Sequence, residues 1–267
     1  MTESRFARVA LRAVSAAVLA FLYLPLIILA IYAFNPRRSM AWPPAGFTLS
    51  WFGEAFANPA IVQAFWTSLL AGLGATAIAL VLGTLAAFAV QRYEFFGRET
   101  ISFIVILPIA LPGVITGIAL STTFQTVGID FGLMTVIIGH ATFCVVVAYN
   151  NVIARIRRLP RSPEEASADL GADTFMTFRR ITLPGMRTAL LSGALLAFAL
   201  SFDEVIVTNF TAGPGTQTIP LWILSSIQRP NELPVVNVVA LVLIVLSVVP
   251  VYLAQRIGAE AGGGGRV

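Results

Sequence analysis

The 267-residue chain is 57% hydrophobic and only 11% charged, a balance outside that of soluble domains and typical of membrane proteins. Its net charge is +4, and every basic residue is an Arg, spread along the chain rather than gathered on one soluble face, which excludes a nucleic-acid-binding protein. The single Cys144 excludes an intrachain disulfide.

A spanning helix needs about 20 predominantly apolar residues. Runs free or nearly free of charge cover Ala13–Pro36, Ala55–Gln91, Thr100–Ile129, Phe131–Ala154, Thr188–Phe210 and Leu233–Gln255. Trimmed to bilayer length, they predict an all-α protein with six transmembrane helices at 11–34, 64–91, 101–124, 132–154, 187–210 and 235–255, forming one transmembrane domain over 1–267.

The first run is longer than a signal-peptide core and has no small-x-small cleavage site after it, so it is expected to remain as a helix. The connection from Asn35 to Val62 carries Trp42-Pro43-Pro44, Gly46 and Trp51-Phe52, a turn-rich aromatic segment suited to the interface belt. In the third span Pro108 and Pro112 each remove a backbone donor and clash with the preceding turn, so the helix must bend or break there. The break either lines a pathway or is a structural kink. In the fourth span lie the only histidine, His140, expected to hydrogen-bond between helices, and Asn150 and Asn151, expected to make helix or loop contacts.

The polar loop over 155–186 separates the fourth and fifth spans. Ser162-Pro163-Glu164-Glu165 predicts a helix start, with Ser162 as N-cap and Glu165 closing a capping box, and Gly171 ends this helix after two turns. Asp173 caps a second short helix, which places Phe175, Phe178 and Ile181 or Thr182 on one side, and Pro184 ends it. A helix so short is marginal in water and must pack against something.

In the fifth span Ser201, Glu204 and Thr208 fall on one polar stripe with Asp203 at its edge. Acids at that depth must face protein or water. Either they attract a cationic amine crossing the membrane, or Asp203 caps a short helix or pairs with Arg229. Beyond this span, Thr211–Pro234 opens on a Gly-Pro-Gly turn, and Ile219–Leu224 predicts a short interfacial helix. Gly262–Gly265 reads as a flexible tail.

With the N-terminus inside, 14 of the 17 Arg residues lie on the cytoplasmic side, so the positive-inside rule predicts both termini cytoplasmic. No internal repeat joins the first and last three spans, which points to assembly with another subunit. No nucleophile–base pair, phosphate-binding Gly-Lys loop or metal-ligand cluster occurs, so the chain is not expected to be an ATPase itself.

Glu165-Ala166-Ser167, Gly171 and Ile181-Thr182-Leu183-Pro184 resemble the EAA loop of binding-protein-dependent ABC importer permeases, with Ser167 where the motif has Ala. The resemblance extends over essentially the whole chain. Leu107-Pro108 to Pro112-Gly113 and Leu200 to Val207 look most like the permease subunits of spermidine/putrescine-type importers, while relatives carrying GABA or other amino compounds share the looser pattern. An ion-coupled secondary transporter and a non-transporting scaffold are the rival readings.

The resemblance implies a type I importer permease fold in a bacterial inner membrane, whose loop forms coupling helices seated on an ATPase. Glu165, Ala166 and Gly171 carry over as that contact, and Glu164, Ser167, Asp169, Ala172 and Phe175 are assigned with them. Ser201, Asp203, Glu204, Thr208, Pro108 and Pro112 are the candidates for the substrate path. Implied partners are a second permease subunit, two cytoplasmic ATPases that bind ATP and Mg, a periplasmic or lipid-anchored substrate-binding protein and membrane lipids. No cofactor, metal or nucleic acid is expected on this chain.

Overall fold

The computed structural model describes residues 5–263, and these contain helices and connections but no strand. In chain order the helices are α1 (Arg5–Ala33), α2 (Ser50–Ala57), α3 (Pro59–Arg92), α4 (Arg98–Ala110), α5 (Gly113–Val127) and α6 (Leu133–Ile156). There follow α7 (Ser162–Asp169), α8 (Thr174–Thr177), a π-turn (Phe178–Thr182), α9 (Leu183–Gly185) and α10 (Arg187–Phe202). The last are α11 (Ile206–Thr211), α12 (Ile219–Ser226), a 3-10 turn (Pro230–Glu232) and α13 (Leu233–Gly263). Gly264, Gly265 and Arg266 lie outside the described residues.

Four helices are long and apolar enough to cross a membrane, and the number rises to six if each of two bent pairs is one span. The bent pairs account for the third and fifth expected spans. α4 and α5 meet at 107°, and the α8–α9 segment meets α10 at 69°. Of the two prolines in the third span, only Pro112 breaks the helix. Pro108 sits inside α4, whereas Leu111 before Pro112 is extended (φ −86°, ψ 141°), the conformation a following proline favours.

The chain gathers into two compact units. One holds the residues up to Val62 with Trp222–Val245. Within it α1 is apolar on all sides and exposed along most of its length, as suits a helix whose solvent is lipid. Its end is built around buried Asn35, whose side-chain Oδ1 accepts the N–H groups of Arg37 and Ala45 at 3.3 and 3.2 Å. Trp51 donates from Nε1 to the Asn35 carbonyl at 2.8 Å and is 8% exposed, so it is internally packed rather than part of an interface belt. Trp42, at 75% exposure, fits the belt expectation. In the same unit Arg229 pairs with Glu232 at 3.1 Å.

The other unit holds Gln63–Leu221 with the residues from Leu246 onward. Here α6 is the central element, packed against α4, α10 and α11. Ala87 and Val90 of α3 join Tyr149, Val152, Ile153 and Ile156 of α6 and Met186 in one buried cluster. Gly83 lets α3 approach α6 closely: a Cβ there would stand 2.8 Å from the Tyr149 backbone nitrogen. Close backbone approach through small residues is how helices associate where lipid removes the hydrophobic drive. Asn151 makes the expected helix contact, since a Cβ on Gly193 of α10 would stand 3.5 Å from its Cβ, while its amide donates to the Val147 carbonyl of its own helix at 2.9 Å; Asn150 is exposed.

Candidate functional site

The polar loop folds as a small scaffold with one exposed face. α7 begins one residue earlier than expected, because Arg161 is already helical and its carbonyl accepts the N–H groups of Glu164 and Glu165 at 2.9 and 3.0 Å. Ser162 therefore lies inside the helix, and the expected capping box, which needs an extended cap residue, does not form. The helix ends as the sequence predicts. Gly171 has φ +82°, its N–H bonds to the Ala168 carbonyl at 2.9 Å, and Ala172 N–H bonds to the Ser167 carbonyl at 3.0 Å, which is a Schellman closure. Asp173 caps α8 by accepting Met176 N–H at 2.6 Å.

The side of the second helix diverges from expectation. The π-turn and α9 widen the segment, and the bend falls at buried Met186 rather than at Pro184. Phe178 packs edge-on against Phe88 at 5.0 Å and Thr182 is buried, whereas Phe175 is 71% exposed. The inserted π-turn changes the angular step between these positions and separates them.

The eight loop residues assigned to partner contact fall into two sets. Glu165, Ala166, Asp169, Gly171 and Phe175 are exposed, while Glu164, Ser167 and Ala172 are partly buried against the loop's own framework. Glu164 accepts from Arg92 Nη2 at 2.9 Å and from the Thr182 hydroxyl at 2.8 Å, with Arg92 8% and Glu164 18% exposed. It thus joins α7 both to the end of α3 and to the π-turn. The Ser167 and Thr177 hydroxyls meet at 3.0 Å and tie α7 to α8. Leu170, 89% exposed, and Met176 add apolar surface to the outer face, and neither was among the assigned residues. The signal for Leu170 was available: a large apolar side chain at the end of a short polar helix that buries no residue.

The second candidate region lies at the far end of α10, roughly 24 Å along a 16-residue helix from the loop. The expected continuous fifth span is interrupted at Asp203, Glu204 and Val205 and restarts as α11. Glu204 causes the restart: its Oε1 accepts Val207 N–H at 2.9 Å, replacing a backbone acceptor at the helix start. It is therefore Glu204, not Asp203, that caps the short helix. The Asp203 side chain is exposed and makes no hydrogen bond or ion pair among the described residues.

Ser201 and Thr208, predicted to share a face, do so across the interruption. Both are buried on His140 of α6, Ser201 Oγ lying 2.7 Å from Nδ1 and Thr208 Oγ1 2.7 Å from Nε2. The expected interhelical role of His140 is realised with these two partners, which no local pattern could name. The Pro112 break lies beside the acidic one, since a Cβ on Gly113, the first residue of α5, would be 3.4 Å from Ile206, the first residue of α11. Pro112 is exposed at this junction, and Pro108 sits a turn back in α4. Among the described residues no group of three or more His, Cys, Asp or Glu could hold a metal ion.

Residues 79–260 match the family described as "Binding-protein-dependent transport system inner membrane component". The chain is 37% identical over 228 residues to the putrescine transport system permease protein PotI of Escherichia coli (strain K12), covering 82% of this chain and 80% of that protein. It is 34% identical over 241 residues to the spermidine/putrescine transport system permease protein PotC of Haemophilus influenzae, covering 90% and 93%. In fold it is similar to a chain in the crystal structure of a bacterial ABC transporter involved in the import of the acidic polysaccharide alginate. That match has a TM-score of 0.73 at 14% identity and covers 96% of this chain and 99% of the other.

Proposed function

The chain belongs to the family of binding-protein-dependent transport system inner membrane components, and on that premise we propose that it carries a small cationic amino compound, such as putrescine or spermidine, through the membrane by alternating access. It pairs with a second permease, two ATPases bind ATP and Mg on its cytoplasmic side, and a periplasmic or lipid-anchored binding protein delivers the substrate. Both termini face the cytoplasm, in keeping with the Arg distribution.

The observation that carries the substrate reading is the acidic interruption of the fifth span. Broken helices are tolerated within a bilayer where protein or a water-filled cavity satisfies the freed backbone, and they recur at transport sites. Here Asp203 is exposed at the break and Glu204 is adjacent, beside the Pro112 break of the third span. An acidic turn at that level suits an ammonium group and repels an anion. Support for the amine class comes also from the relatives, which are named for putrescine and spermidine.

The loop supplies the other half of the mechanism. Glu165, Ala166, Asp169, Leu170, Gly171 and Phe175 form the face that an ATPase cleft grips, while Ser167 ties the two short helices together, Ala172 closes the first of them and Glu164 fixes it to α3 and the π-turn, making a lever. Closure of the ATPases moves that lever, and α10, which starts directly after it, passes the movement to the acidic break.

The test is putrescine uptake into proteoliposomes holding the complete importer with its binding protein. The double variant Asp203→Asn, Glu204→Gln is expected to raise the apparent KM at least about tenfold, the scale of one lost charge contact. An unchanged KM in an intact complex removes the acids from the substrate path.

A further inference from the structure

The fifth span is cut in two, yet its halves are not independent. α11 lies on α6 through Thr135, whose hydroxyl donates to the Thr211 carbonyl at 2.7 Å, and α10 lies on the same helix through Cys144, whose thiol donates to the Ala197 carbonyl at 3.3 Å. Between these ties sits the fully buried His140, with Ser201 from one half at one ring nitrogen and Thr208 from the other half at the opposite ring nitrogen.

The Thr208 hydroxyl also lies 2.8 Å from the Glu204 carbonyl, so a continuous run of hydrogen bonds leads from Ser201 through the ring to Thr208 and the Glu204 backbone. Either ring tautomer can span the two hydroxyls, since each hydroxyl can donate or accept. Glu204 is then engaged twice, by its carbonyl here and by its carboxylate at Val207 N–H. Asp203, one residue away, is engaged by neither.

We propose that His140 is the positioning residue of this break: by holding Ser201 and Thr208 on either side, it commits Glu204 to capping α11 and leaves Asp203 as the single acid that meets the substrate's ammonium group. This rests on the reading of the acidic turn as the cation-handling site, and it divides two carboxylates that look equivalent in sequence into a ligand and a strut.

Two readouts on the complete importer in proteoliposomes separate the inference from that reading. The first is putrescine uptake: Asp203→Asn alone reproduces the KM rise of the double variant, whereas Glu204→Gln, which keeps an acceptor oxygen for Val207 N–H, changes KM by less than about threefold. If Glu204→Gln carries the rise and Asp203→Asn does not, the assignment is overturned. The second needs no substrate. With Cys144→Ser as background, Asp203→Cys is labelled by a cationic methanethiosulfonate reagent about tenfold faster than Glu204→Cys, and His140→Leu abolishes that contrast. His140→Gln, whose amide reaches the Nε2 position and hydrogen-bonds to Thr208, restores it. Should His140→Leu fail to assemble, Thr208→Val takes its place with Thr208→Ser as the rescue. Equal labelling of the two cysteines with His140 intact, or a contrast that survives both His140→Leu and Thr208→Val, overturns the inference whatever the uptake result. Both neutralising variants leaving KM unchanged, with the labelling contrast present and dependent on His140, overturns the cation-handling reading and with it the role of ligand given to Asp203.

Discussion

Glu164→Ala takes away the carboxylate that Arg92 Nη2 meets at 2.9 Å and the Thr182 hydroxyl at 2.8 Å. Arg92 is 8% exposed, and its Nε has no partner among the described residues, so the variant leaves a nearly buried guanidinium without its counter-charge. Breaking a buried pair from one side costs about 3–5 kcal/mol, and an orphaned buried hydroxyl adds about 1 kcal/mol. Because Glu164 itself is 18% exposed, the lower end applies, about 3 kcal/mol, or roughly a hundredfold in the equilibrium that docks α7. That cost falls on the loop rather than on the spans, since a two-turn helix has little stability of its own. Hydrogen–deuterium exchange over residues 162–170 in nanodiscs reads it directly: exchange rises on the order of a hundredfold in Glu164→Ala and only about tenfold in Glu164→Gln, which keeps the acceptor. Wild-type exchange in Glu164→Ala refutes the reasoning. So does a double-mutant cycle with Arg92→Met in which the two effects add to within about 0.5 kcal/mol.

The remaining predictions concern the lever's closure, its outer face and the packing beneath it. Gly171→Ala meets no atom within 4 Å but must hold φ +82°, so it is expected to loosen the same segment by about 1 kcal/mol, with Gly171→Asn milder; equal exchange in all three proteins contradicts this. Leu170→Ser and Phe175→Ser, at exposed positions, leave thermal stability within about 0.5 kcal/mol while lowering ATPase stimulation by loaded binding protein. Full stimulation removes the apolar tip from the ATPase contact. Gly83→Ala puts a Cβ 2.8 Å from the Tyr149 nitrogen, forces α3 away from α6 and lowers stability by about 1–3 kcal/mol in a thermal unfolding assay. An unchanged melting point refutes the close approach.

The loop shows how far local chemistry reaches. Asp173 bonding Met176 N–H and the left-handed Gly171 were both readable, because caps and helix closures depend on residues within one turn of each other. Ser162 failed as a cap although its neighbourhood was favourable. Arg161 is helical, and Glu164 is committed to Arg92, 72 residues earlier in the chain. Likewise two prolines four residues apart looked equivalent, and only Pro112 breaks the helix.

Composition and hydropathy alone determined that the chain is helical and membrane-embedded, where its apolar runs lie, that one run carries an acidic pair, and that a polar loop separates the fourth run from the fifth. A bilayer demands long apolar runs, and each run is written in consecutive residues. Only the tertiary structure decided which carboxylate caps and which stays free, that Glu164 faces inward, and that His140 clasps both halves of a broken span. The Glu164 and His140 contacts depend on hydrogen-bond partners on another helix, for His140 61 and 68 residues away, beyond any periodicity a single chain displays, whereas the choice between the two acids turned on where the chain breaks between α10 and α11.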